Sequence, residues 1–175
     1  MLNTHIIILG YMGCGKSTIA KKLSSVLGIS HVDLDKQIEL STKMSISDFF
    51  NINGEIEFRK IEKKILEKSL KTKTQTIISL GGGTPCYYNN MDFILKVSNN
   101  VFFINTSLDE LTARLFKEKD SRPLIKSFQS KDSLKEFVAK HLFERIVYYK
   151  RSNHTIKGEN KSLDDLCNEI ISKVI

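Results

Sequence analysis

His5-Ile6-Ile7-Ile8-Leu9-Gly10-Tyr11-Met12-Gly13-Cys14-Gly15-Lys16-Ser17-Thr18 is a short apolar run that breaks into a glycine-rich turn. The run is rich in β-branched side chains, the pattern of a strand buried on both faces. Behind the turn Ile19, Ala20, Leu23 and Leu27 recur at helical spacing, and Gly28 stands where that helix ends. Gly10–Thr18 fits every fixed position of the phosphate-binding pattern G-x-x-x-x-G-K-[ST]. Strand, turn and helix in this order predict backbone N–H groups that wrap a triphosphate, with the helix N-terminus adding partial positive charge. Gly13, Cys14, Gly15, Lys16, Ser17 and Thr18 are the nucleotide-binding candidates. Lys16 brings charge to the β- and γ-phosphates, and the Ser17 hydroxyl, in the first turn, is placed for Mg2+.

Working outward, strand-like runs recur at Ile6–Leu9, Val32–Leu34, Ile77–Leu80, Val101–Ile104 and, more weakly, His154–Ile156, with helical patterns between them. This alternation predicts βαβ units: a three-layer α/β/α fold around a five-stranded parallel sheet. Ser107 with Glu110 reads as a capping box for a helix through Phe116, and Ser162 with Asp165 as a weaker start of the last helix. At 175 residues without repeat or linker, residues 1–175 make a single domain.

The three cysteines, Cys14, Cys86 and Cys167, are widely spaced and odd in number, so they form neither a disulfide framework nor a metal pair. A reducing, cytoplasmic setting is expected, since no run reaches the length of a signal segment or membrane span. The net charge is +7 and the pI about 9.3, but no block of five or more basic residues occurs. Scattered lysines point to a solvated surface and small anionic ligands rather than nucleic acid. The expectation is a monomer without nucleic-acid or membrane partners.

In such folds ligands sit beyond the carboxyl ends of the strands. Asp33-Leu34-Asp35 follows the second run and Gly81-Gly82-Gly83 the third. In extended geometry Asp33 and Asp35 point the same way, so one can hold a metal or its water shell while the other orients a hydroxyl and accepts its proton. A helix N-cap and its neighbour is the alternative. The glycines offer backbone N–H groups to an anion or hydroxyl, or form a flexible turn. Arg59 and Glu62 stand at i, i+3, whose default is an exposed ion pair. On the helix of Leu134, Phe137, Val138 and Leu142, Arg145 falls roughly 20° from Leu134, on the apolar stripe. A guanidinium there needs an internal carboxylate or a bound ligand.

In order and spacing, Gly10–Thr18, Asp33-Leu34-Asp35, Phe58-Arg59-Lys60-Ile61-Glu62, Gly81-Gly82-Gly83, Arg122-Pro123-Leu124 and Arg145-Ile146-Val147-Tyr148-Tyr149 resemble the shikimate kinase pattern over nearly the whole chain. The resemblance implies a P-loop kinase fold with a small helical substrate-binding region at about 33–62 and a lid at about 116–129. It implies transfer of the ATP γ-phosphoryl group to the 3-hydroxyl of shikimate, a step of chorismate and aromatic amino-acid biosynthesis, with Mg2+. By the same resemblance Lys16, Asp35 and Arg122 carry catalysis, with Asp35 holding the ring hydroxyls and serving as the base. Asp33 anchors the metal's water shell. Arg59 and Arg145 bind the substrate carboxylate, Gly81, Gly82 and Gly83 contact the ring, and Phe50 and Phe58 form apolar walls. Arg122 reaches the phosphates from the lid, and Arg114 covers adenine. Val147 stands where the family commonly has proline, which predicts a differently shaped helix exit. The Arg122 to Arg145 segment is on the long side, and the lid itself carries few apolar anchors, so it is expected to be mobile without ligand. Gluconate or nucleoside-monophosphate kinases, and a non-catalytic ligand sensor, are the rivals. The paired arginines beside Asp35 favour a small hydroxy-acid, and a complete transfer apparatus has no use in a sensor.

Overall fold

Strands β1 (Ile6–Leu9), β2 (Ser30–Asp33), β3 (Thr76–Ser79), β4 (Val101–Asn105) and β5 (His154–Lys157) pair in the order β2-β3-β1-β4-β5, all parallel. The computed structural model describes residues 5–174, so the extreme ends of the expected 1–175 domain lie outside the described residues. All four β1 side chains are fully buried, with Ile7 opposite Ile78 on one side and Val101 on the other. A continuous apolar run is what a central parallel strand covered on both faces requires. The phosphate loop therefore leaves the middle of the sheet.

The helices are α1 (Lys16–Leu27), α2 (Leu34–Thr42), α3 (Ile46–Leu70), α4 (Asn90–Val97), α5 (Leu108–Lys117), α6 (Lys131–Tyr149) and α7 (Leu163–Lys173). They flank the sheet as expected, α1 packing with α7, α2 with α3 and α5 with α6. Gly28 ends α1 in the left-handed region, at φ 66°. The expected order of strength of the two capping boxes is reversed. Ser162 and Asp165 bond reciprocally, whereas at Ser107 the hydroxyl accepts from the Glu110 backbone while the Glu110 carboxylate pairs with Arg114. Among the described residues, no helix is long and apolar enough to cross a membrane.

Three differences from the sequence expectation shape the cleft. β2 stops at Asp33 instead of running to Leu34, because the Asp33 side chain accepts from the Lys36 backbone and starts α2 there. α3 begins at Ile46, capped by Ser45, and is interrupted at Gly54 (φ 76°, ψ 172°), so a short turn leads into a long rod from Glu55 to Leu70. α6 runs straight through Val147 to Tyr149, as a helix without proline can. Its last residue is fully buried and donates from its hydroxyl to the Gly82 carbonyl at 2.5 Å.

Few as its apolar anchors are, the 116–129 segment is seated on the rest of the fold in this structure. It holds two short 3-10 turns, Lys119–Ser121 and Pro123–Ile125. Ile125 is fully buried, Phe128 lies 5.1 Å from Phe137, and Lys119 donates to the Phe128 carbonyl at 3.2 Å. A few apolar side chains interspersed among charges were enough to seat it.

Ile125→Ala is therefore expected to cost about 2–4 kcal/mol, a core-residue value, rather than the few tenths typical of an exposed loop. Chemical denaturation of the variant against the parent chain measures it, and a loss below 0.5 kcal/mol on the order of surface substitutions would mean the segment is not docked.

Candidate active site

Two half-sites meet at the carboxyl end of the sheet. In the first, Lys16 is buried and folds back, its Nζ donating to the Tyr11 carbonyl at 2.9 Å and lying 3.9 Å from the Cys14 sulfur. Ser17 Oγ donates to Asp33 Oδ2 at 2.7 Å, and the same carboxylate accepts from Ser79 Oγ at 3.2 Å and from the Lys36 backbone at 3.2 Å. Burial alone would raise the Asp33 carboxyl, but the hydrogen bonds from Ser17, Lys36 and Ser79 outweigh it and hold it below the usual carboxylate range. Asp33 is thus both the helix cap and the partner of the phosphate-loop hydroxyl.

Asp35 corrects the extended D-x-D picture, since it sits in the first turn of α2 and not on the strand. It still reaches the same cavity, about 230 Å3 in volume, lined by Lys16, Ser17, Thr18, Asp33, Gly82 and Arg122 among others. Burial pushes its carboxyl up to about 6; Lys16 pulls it down, while Asp33, Glu62 and Glu39 push it further up. Gly13, Gly15 and Glu118 line this cavity too, and Arg122 pairs with Glu118 at 2.6 Å. Arg114 is not in that lining. It donates to the Gly13 carbonyl at 3.3 Å and pairs with Glu110, which braces the loop from α5.

The second half-site centres on Arg59, for which the exposed ion pair is overturned. Arg59 and Glu62 are 9% and 1% exposed at their side chains and lie 2.8 Å apart. Glu62 accepts a second bond from Thr84 Oγ1 at 2.6 Å, and Arg59 also reaches Glu55 at 3.3 Å. Three rings surround the guanidinium, Tyr87 at 4.0 Å, Phe58 at 5.1 Å and Phe50 at 5.8 Å from their centroids. Burial works against the Arg59 charge, but Glu62 overcompensates and its proton is held more tightly than usual. Phe50 and Phe58, expected as apolar walls of the substrate site, stand here beside Arg59, whereas Tyr87, Thr84 and the clasp by Glu55 are additions the sequence does not announce. A tyrosine one residue past the 3-10 turn Thr84–Cys86 carries no sequence signal of its own.

Arg145 is half-buried, and among the described residues no carboxylate forms an ion pair with it. Its partner is instead His141, one turn back, whose Nε2 accepts from Arg145 Nη2 at 2.9 Å, while His141 Nδ1 lies 3.1 Å from the Tyr11 hydroxyl.

The three glycines join the halves. A Cβ at Gly81 would stand 2.6 Å from Asp35 Oδ1, one at Gly82 3.6 Å from Arg145 Nη1, and one at Gly83 2.7 Å from Arg59 Nη2. Each glycine thus abuts one charged group of the site, and two approaches are closer than any other residue allows.

Gly83→Ala is expected to lower stability by about 1–3 kcal/mol, because the buried, ion-paired guanidinium cannot retreat. Gly82→Ala, with only ordinary contacts, should stay within about 1 kcal/mol of the parent. Thermal and denaturant unfolding of both variants compares them; equal losses would contradict the packing described.

The family model described as "Shikimate kinase" matches residues 12–175. The shikimate kinase of Flavobacterium johnsoniae is 42% identical over 166 residues, spanning 95% of this chain and 96% of that protein. The crystal structure of shikimate kinase from Bacteroides thetaiotaomicron superposes with a TM-score of 0.90 at 28% identity, covering 97% of both chains. The shikimate kinase from Acinetobacter baumannii in complex with shikimate gives 0.82 at 25% identity, over 97% of this chain and 91% of that one. With the sequence match running from inside the phosphate loop to the end of the chain, and the fold superposing over nearly every residue, the chain belongs to the shikimate kinase family.

Proposed function

We propose that the cleft divides the family's reaction between a phosphate half at Lys16, Ser17, Asp33 and Arg122 and a carboxylate half at Arg59 and Arg145, with Asp35 between them. The reaction itself is transfer of the ATP γ-phosphoryl group to the 3-hydroxyl of shikimate, giving shikimate 3-phosphate and ADP in aromatic amino-acid biosynthesis. The observation that carries the division is the glycine loop, where Asp35, Arg145 and Arg59 are packed one against each of Gly81, Gly82 and Gly83. That row sets a hydroxyl-sized and a carboxylate-sized recognition group side by side, next to the phosphate loop.

In this reading the loop backbone from Gly13 to Thr18 cradles the nucleotide, and Lys16 leaves the Tyr11 carbonyl to meet the β- and γ-phosphates. Arg114 fixes the loop at Gly13 and supplies the flank against which adenine lies. Ser17 and Asp33 offer a hydroxyl and a carboxylate, the hard oxygen donors that suit Mg2+, Asp33 acting through water. When bound, Mg2+ neutralises charge on the transferred phosphoryl group. Arg122 exchanges Glu118 for phosphate, with 116–129 serving as the lid and 33–62 as the substrate-binding region. Arg59, already clasped by Glu62 and Glu55, offers its remaining donor edge, and Arg145 supplies the uncompensated charge, so the substrate carboxylate is held by a planar fork. Phe50 and Phe58 shield one face. Asp35 orients the 3-hydroxyl and takes its proton as the bond to phosphorus forms. Because the transition state is loose, positioning and charge neutralisation contribute more than proton abstraction.

An assay of ADP release with shikimate, gluconate and nucleoside monophosphates in parallel tests the acceptor; Lys16→Ala should abolish release in a chain that still melts cooperatively. Turnover on gluconate rather than shikimate would overturn the reading.

The raised Asp35 carboxyl has two further consequences. A base must be ionised, so kcat should fall as pH drops through about 6. The same group binds its proton more tightly folded than unfolded, so its ionisation destabilises the fold above that pH, and the stability it contributes is present below the unfolded value and lost through about 6. Asp35→Asn should therefore reduce kcat by roughly 10² to 10⁴ while raising stability at pH 7.5 by about 1–2 kcal/mol. Paired kinetics and melting measure it; a variant both slow and less stable would contradict the buried, charged state of Asp35.

A further inference from the structure

The mechanism above uses Arg145 and leaves unexplained why its internal partner is a histidine. A half-buried guanidinium is normally set by a carboxylate, and Arg59, against the next glycine of the same loop, has two. A carboxylate on Arg145 would neutralise the charge the substrate needs. A neutral imidazole orients without neutralising.

The geometry fixes the state of that imidazole. Arginine only donates, so His141 Nε2, 2.9 Å from Arg145 Nη2, must present its lone pair. Nδ1 then carries the proton and donates to the Tyr11 hydroxyl oxygen 3.1 Å away. The ring is held against rotation by Phe137 at 5.1 Å and by the Tyr11 ring at 6.0 Å, edge-on. Tyr11 belongs to the phosphate loop, so a chain of contacts runs from that loop through His141 to Arg145 at Gly82.

We propose that His141 is a positioning residue for Arg145, holding its guanidinium toward the cleft through the Nε2 lone pair while leaving the positive charge free for the substrate carboxylate. This rests on the carboxylate-clamp reading of Arg145. The groups in contact with the imidazole are Tyr11 from the phosphate loop and Arg145 and Phe137 from α6, while the charges of Glu144 on α6 and of Glu55 and Arg59 on α3 act on it from further away. Burial lowers the affinity of His141 for a second proton, Arg145 and Arg59 lower it further, and Glu144 and Glu55 oppose them. The neutral ring that the Arg145 contact requires is thus also the state its surroundings favour. Acidification below its ordinary range puts a proton on Nε2, which removes the acceptor and sets two cations face to face. Shikimate affinity then weakens through Arg145, whereas nucleotide affinity does not.

The test compares Michaelis constants for shikimate and ATP between pH 5.5 and 8 in the parent chain, His141→Leu, His141→Gln and Arg145→Lys, each checked for a cooperative melt. His141→Leu should raise the shikimate constant about 5- to 20-fold at pH 7.5, the cost of misplacing one charge-assisted contact, with the ATP constant within about twofold. Glutamine presents an amide oxygen near the position of Nε2 and does not titrate. His141→Gln should therefore recover most of the loss, and its shikimate constant should rise less on acidification than that of the parent. Asp35 titrates equally in both, so the difference between the profiles reports position 141. The proposal is overturned if His141→Leu leaves the shikimate constant unchanged while Arg145→Lys raises it, if Gln is as impaired as Leu, or if the Gln and parent pH profiles superimpose. If Arg145→Lys itself leaves the shikimate constant unchanged, the clamp reading fails and this inference falls with it.

Discussion

The buried pair of Arg59 and Glu62 sets where everything in the cleft stands. Removing two charges from water costs several kcal/mol each, roughly, and their attraction repays it only if the remaining donors and lone pairs are also met. Here they are met, by Thr84 on the glutamate and by Glu55 and three aromatic rings on the arginine. The pair therefore ties α3 to the start of the turn after β3, and with it the row of glycines against which Asp35 and Arg145 also rest. Because Arg59 is compensated from within by carboxylates and Arg145 is not, this side of the cleft retains a positive charge without an ion-pair partner, which suits the carboxylate-binding role proposed for it.

The half proposed to bind phosphate rests in the opposite condition, with its cations occupied. Lys16 lies on the Tyr11 carbonyl and Arg122 on Glu118. The second of these is a partly exposed helix-spaced pair of the kind worth no more than about 1 kcal/mol, so exchanging it for a phosphate costs little. The first is a buried bond to a neutral carbonyl, which stores the lysine without quenching its charge.

Much of this was legible in the sequence because it depends on local rules. Gly10–Thr18 specifies its own loop, β-branched runs specify buried strands, and the spacing of Phe58, Arg59 and Glu62 specifies one helix face. What was not legible depends on tertiary context. Asp33 and Asp35 look like an extended pair until the Asp33 side chain caps α2 and turns Asp35 onto the helix. The pair of Arg59 and Glu62 looks exposed because helical spacing says nothing about what covers it. Ile125 and Phe128 sit among charges that mask them as anchors. His141 could have been found, since it lies one turn before Arg145 on the same face. The signal was there, but a search for carboxylates passes over a neutral partner.

The Tyr149 hydroxyl on the Gly82 carbonyl pins the last turn of α6 to the glycine loop. The helix begins at Lys131, just after the 116–129 segment, so its first residue lies about 27 Å from that bond at 1.5 Å per residue, while Arg145 lies only about 6 Å from it. A tilt that swings the far end by about 3 Å shifts Arg145 by about 0.7 Å, roughly the ratio of those two arms. A displacement at the first turn of α6 would therefore be geared down before it reached Arg145, so in the reading proposed above the acceptor end of the cleft would hold its geometry while the 116–129 end adjusted to a nucleotide.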